Sequence, residues 1–119
     1  MTAPKPSYRR GDVVLVLFPN SSLRSAKPRP ALVVQSDNLE TGLNQILIAM
    51  ITSRMFRANH PSRVTAYISN HDSNLTGLLT DSVIMTDNLA TVADYAIDRT
   101  IGVFPMTEVD TALRHTLGL

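Results

Sequence analysis

Residues 10–19 read RGDVVLVLFP, a continuous run of valine and leucine opened by Gly11-Asp12 and shut by Pro19. A short apolar run between such turn signals is a buried β-strand, Val13 to Phe18. The same form returns twice. Pro30 opens a second strand over Ala31 to Val34, where a proline at the first position needs no N–H. QILIAMIT over Gln45 to Thr52 is a third strand, preceded by a turn at Thr41-Gly42. Between the first two lies a polar loop that is long for a hairpin.

Working outward, Val64 to Ile68 reads as a shorter strand, and Asn70 to Gly77 is turn-rich. Leu78 to Thr86 holds a fifth strand at Val83-Ile84-Met85, and Thr100 to Val103 a last short one. The stretch Asp87 to Asp98 fits strand, helix or loop. A turn or short helix connects strands between Arg54 and Ser62. Val109, Ala112, Leu113 and Leu117 recur at helical spacing, with Thr107 as the expected N-cap and Gly118 as the stop. Consecutive short strands and a terminal helix argue for a small β-barrel or sandwich with the helix packed on it.

At 119 residues the chain holds one domain, with residues 1–9 as a short basic tail and 10–119 as the folded unit. Without cysteine, disulfides and thiolate metal sites are excluded, and a cytoplasmic home fits. No apolar run approaches the roughly 20 residues of a membrane helix. The net charge of +1 does not announce a polyanionic partner, yet five of the eleven basic residues fall within residues 9–29. Arg54, Arg57 and Arg63 form a second cluster. A locally basic face suits a short RNA or an acidic protein. His60, His71 and His115 lack metal-ligand spacing and read as structural or solvent-facing. No nucleotide-binding or zinc motif occurs, so neither metal nor cofactor is expected.

Three places carry the chemistry. Arg29, extended before Pro30, presents a guanidinium that forks onto phosphate oxygens. Taken alone, it reads first as an ordinary surface ion-pair residue, because single basic residues are common. Thr52 and Ser53 end the third strand with two hydroxyls that donate to phosphate or cap the next turn. Asp87, with Asn88 beside it, stands at the end of the fifth strand. There it is either a proton acceptor for a ribose 2′-hydroxyl or a plain turn pair. Asn20, Ser21, Ser22, Arg24 and Lys27 in the long loop, with Arg54 after Ser53, complete the expected RNA-contacting set.

From Arg10 to about Leu117 the order of these signatures resembles the MazF/PemK toxins. Gly11-Asp12 stands before the first strand, Pro19 after it, and Arg29-Pro30 ten residues on. Thr52-Ser53 ends the third strand. Val83-Ile84-Met85-Thr86-Asp87-Asn88 gives an apolar trio, one residue, an acid and an amide; Thr91 and Ile101-Gly102 follow. The resemblance implies an SH3-like barrel and a metal-independent endoribonuclease. Such toxins are usually homodimeric, cut single-stranded RNA at short sequences and are neutralised by an antitoxin protein. It assigns the family arginine and threonine to Arg29 and Thr52, and the base of the Kid/PemK branch to Asp87. Departures fall at Ser22, Leu23 and Arg24, where the family carries Gly, a polar residue and Glu. Met85 replaces a second arginine, and Ala90 to Ala93 replace a polar run. Two other readings stay open: a CcdB-type gyrase binder without catalysis, and a weakened member that binds RNA or antitoxin.

Overall fold

The computed structural model describes residues 7–19, 26–69 and 75–119. Six strands form one antiparallel sheet: β1 (Asp12–Pro19), β2 (Ala26–Val33), β3 (Gln45–Thr52), β4 (Arg63–Ala66), β5 (Ser82–Ala93) and β6 (Ile97–Val103), followed by α1 (Thr107–Leu117). The spatial order is β4-β5-β3-β2-β1-β6. β4 and β6 are its edges, with no ladder between them among the described residues. The mainly-β architecture with a terminal helix is as the sequence implies. No helix among the described residues is long and apolar enough to cross a membrane.

Period-two alternation gives the sheet two apolar faces. Val13, Leu32, Ala49, Ile51, Val64 and Ile84 pack on one side with Val109 and Ala112 of α1. Their sequence neighbours Val14, Ala31, Val33 and Ile48 pack on the other side with Val16 and Ile97. That double burial is why β1 reads as an unbroken apolar run rather than an alternating one. Each fully buried Val, Leu or Ile contributes roughly 1.5–3 kcal/mol.

β5 runs on to Ala93, through the first half of the region that fitted three states. Met85 pairs with Met50 and Leu89 with Ala49, so Thr86, Asp87 and Asn88 are extra and form a wide bulge. Thr86 anchors it: its backbone N and its Oγ1 both donate to the Ser62 carbonyl, at 3.0 and 2.6 Å. The same hydroxyl meets Thr116 Oγ1 of α1 at 2.8 Å. A 3-10 turn, Asp94–Ala96, then leads into β6, which starts three residues before the expected Thr100. A second 3-10 turn, Met55–Arg57, links β3 and β4.

The helix starts differently from expectation. Met106 is the N-cap, with no side-chain cap bond, and Thr107 is already helical. Arg10 does related work from a distance. Its guanidinium binds Asp110 Oδ1 and the Val34 carbonyl, tying the start of β1 and the end of β2 to α1. The C-terminus is as expected, with Gly118 left-handed at φ 73°.

Candidate functional site

β2 begins at Ala26, five residues before the expected Ala31, and so contains Pro28 and Pro30. Their position explains both how the strand tolerates them and why a cleft opens beside it. The Val33 carbonyl accepts from Gly11 N, while Val34 N donates to the Leu47 carbonyl. Odd-numbered residues of β2 therefore bond to β1 and even-numbered ones turn toward β3. Both prolines are even-numbered. The β1 ladder runs intact back to Ala26, whereas pairing with β3 stops at Ala31 opposite Met50. Pro30, next in register to Ile51, has no N–H to return.

Past that point β2 and β3 part, and a cleft of about 630 Å³ lies between them. The register, continued two residues, sets Arg29 opposite Thr52. Both line the cleft, as do Lys27, Ser53 and Arg54. Leu15 of β1 and Ile101 of β6 are among its apolar lining. The segment Gly77 to Thr80 supplies another wall, held against β6 by two glycines. A Cβ on Gly77 would lie 2.2 Å from the Ile101 carbonyl oxygen, and one on Gly102 would lie 2.2 Å from that of Leu75. Only backbone without side chains approaches this closely.

Thr52 Oγ1 accepts the Arg54 backbone N–H at 3.2 Å. The turn-capping and ligand-binding readings of this hydroxyl are thus compatible. The cap occupies a lone pair and fixes the oxygen, and the O–H proton remains free to donate. The cleft carries four cationic side chains, from Lys27, Arg29, Arg54 and Arg99, and no carboxylate among its described lining residues. The two ion pairs among the described residues use Arg10 and Arg63 instead. Four cations against an apolar wall focus a positive potential suited to a polyanion.

Asp87 and Asn88 lie elsewhere. Both are exposed on the β5 bulge and neither lines the cleft. Arg63 of β4 grips Asp87 through Nη2 at 2.8 Å, and its Nη1 donates to the Arg57 carbonyl. The hydrogen bonds from Arg63 hold the Asp87 carboxyl below its usual range, against partial burial that pushes it up. His60 adds to the lowering; its Nδ1 accepts from Ser62 N, and its ring meets that of His115 edge-on at 6.2 Å. Phe56 stands 78% exposed beside Arg57, outside the cleft lining. Asn20, Ser21, Ser22 and Arg24, like His71, fall outside the described residues. Arg99 was not legible as a site residue, and neither was the Gly77–Thr80 wall, because strand register brings both to the cleft.

The architecture is that of known toxins. It matches an endoribonuclease from a mycobacterial species with a TM-score of 0.70, at 22% identity over 96% of this chain and 94% of that one. It matches the Mycobacterium tuberculosis toxin MazF-mt6 at 0.68, with 20% identity over 91% and 97%. It also matches the structure of MazE-MazF from Deinococcus radiodurans at 0.71, with 18% identity over 97% and 99%. A small antiparallel sheet with a helix across one face is thus the fold this chain shares with these structures. Residues 9–117 match the family described as PemK-like, MazF-like toxins of type II toxin-antitoxin systems, and the chain belongs to that family.

Proposed function

We propose that this protein is a toxin that cleaves single-stranded RNA without a metal cofactor, acts in the cytoplasm and is held in check by a cognate antitoxin. The observation carrying the reading is that Arg29 and Thr52, from separate strands, line one cleft rich in cations and free of described carboxylates. A solved relative is an endoribonuclease in complex with its cognate antitoxin, which supports the partner. A homodimer is part of the same proposal.

The chemistry is transesterification. The ribose 2′-oxygen attacks the adjacent phosphorus, a 2′-O–P bond forms and the P–O5′ bond breaks. The products are a 2′,3′-cyclic phosphate and a 5′-hydroxyl. The 2′-proton leaves to a base, solvent water delivers a proton to the departing 5′-oxygen, and the hydroxide left behind takes the proton from the base, so the step balances. Nucleophile and electrophile are already joined in the substrate, so the protein's task is alignment and charge stabilisation. Arg29 balances charge building on the non-bridging oxygens, and the Thr52 hydroxyl donates to the same phosphate. Asp87 is the proposed proton acceptor; because it lies outside the cleft lining, it acts through intervening water and not by contact with the ribose. Its pairing with Arg63 keeps it ionised but makes it a weak base near neutral pH. Electrostatic stabilisation is therefore the larger contribution in this scheme.

The test is incubation with a long single-stranded RNA in excess EDTA. Discrete fragments with 5′-hydroxyl ends are expected. Arg29→Ala is expected to slow the reaction roughly a hundred- to thousandfold. Uncut RNA, or an Arg29→Ala protein as fast as the parent, overturns the assignment.

A further inference from the structure

The geometry points to Arg99, across β1 from the Pro30 that follows Arg29, as the residue that binds a second phosphate of the RNA strand; this rests on the ribonuclease reading above. Leu15 of β1 pairs with Pro30 of β2 on one side and Arg99 of β6 on the other. Pro30, Leu15 and Arg99 therefore form one row across three strands, and all three line the cleft. Two strand spacings separate the ends of that row by about 10 Å. Lys27 and Arg29, the odd-numbered neighbours of Pro30, alternate to the other face of β2 from this row, yet both line the same cleft where β2 and β3 part, so the β2 cations and Arg99 border it from its two sides, placed for successive phosphates of one chain.

A local irregularity puts this residue there. Val16 pairs with Ile97, yet Leu15 pairs with Arg99, so Asp98 is one residue in excess. Without that bulge Leu15 would face Asp98, and the row would end in a carboxylate. One inserted residue exchanges the faces of its neighbours and so reverses the charge turned toward the cleft. Arg99 is exposed and takes no part in the ion pairs among the described residues. Beside the apolar Leu15 and Ile101, a weakly hydrated guanidinium is well suited to a phosphate oxygen pair.

A charge on an edge strand also discourages aggregation. That role has no bearing on RNA affinity, which separates the two explanations. The experiment titrates a fluorescein-labelled, uncleavable 2′-O-methyl single-stranded RNA of mixed sequence with the parent, Arg99→Gln and Arg99→Lys proteins in EDTA at several salt concentrations. Arg99→Gln is expected to weaken binding about tenfold at low salt. It is also expected to reduce the slope of log affinity against log salt by about 0.7, the share of one phosphate on a single strand. Arg99→Lys, which keeps the charge, restores the slope and reports that the site is folded. In cleavage of unmodified RNA the Arg99→Gln loss falls on KM more than on kcat. An unchanged affinity and slope for Arg99→Gln, with a parent protein that binds and cuts RNA, overturns the role of Arg99 and leaves the ribonuclease reading standing. A parent protein that neither binds nor cuts overturns both.

Discussion

Gly102→Ala offers a demanding test of how the cleft is walled. The added Cβ would meet the Leu75 carbonyl oxygen at 2.2 Å, the Thr76 carbonyl carbon at 2.4 Å and its oxygen at 2.5 Å. Ordinary contact begins near 3.4 Å, so the opposing backbone must retreat by about 1.2 Å. Every atom in the way is main chain, so no side-chain rotation relieves the clash. Overpacking of this kind costs roughly 1–3 kcal/mol. For a domain of this size that is a fall of about 5–15 °C in Tm. The segment pushed back carries Leu78, Leu79 and Thr80, which line the cleft. A displacement of about 1 Å in a positioning element commonly costs around a hundredfold in rate. Thermal melts by circular dichroism and initial rates on a fluorogenic RNA are the two readouts. The melting shift follows from the steric clash alone, whereas the rate also requires the proposed activity. A Gly102→Ala protein that melts within two degrees of the parent would refute the close approach between this segment and β6.

Thr52→Val removes the hydroxyl while keeping its shape. Single-turnover cleavage is expected to slow by about 10- to 100-fold, the worth of one hydrogen bond to a charged group. Asp87→Asn is expected to slow cleavage less than Arg29→Ala does, since Asp87 lies outside the cleft lining. The same substitution should lower Tm at neutral pH by weakening the grip of Arg63. The folded carboxyl sits below its unfolded value, so its stabilisation is present above about pH 4 and is lost as pH falls through the folded pKa. Parent and Asp87→Asn melting curves should therefore converge in acid; a gap that persists at low pH would contradict the ion-pair account.

β1 and β3 were legible because their apolar runs end at proline, glycine or paired hydroxyls, and α1 because its stripe keeps helical spacing. The start of β2 was hidden by Pro28 and Pro30. A proline argues against a strand until it is known which side of the strand lacks a partner. The second half of β5, past the expected Val83-Ile84-Met85, was hidden by Thr86-Asp87-Asn88, three polar residues that look like a turn and are in fact a bulge bolted to Ser62 and Thr116. Thr107 has the composition of a cap but sits one residue inside the helix, behind Met106. In the site, Thr52, Ser53 and Arg54 close an apolar run, and Lys27 and Arg29 precede one, where local sequence already suggests a ligand. The partner of Asp87 depends on the β4–β5 alignment, and the direction of Arg99 on one excess residue in β6. Neither leaves a local mark in sequence, because both are decided by how distant strands align.

The two prolines of β2 also set stability against purpose. A residue with an N–H at position 28 or 30 would let the β2–β3 ladder zip further, adding hydrogen bonds to the sheet while sealing the gap between them. Selection for a tougher protein and selection for an open mouth thus pull in opposite directions at these positions. The same missing donors starve any intruding peptide strand that seeks to pair along this border. Along the β2 side, an inhibitor of the cleft grips through side chains rather than by extending the sheet.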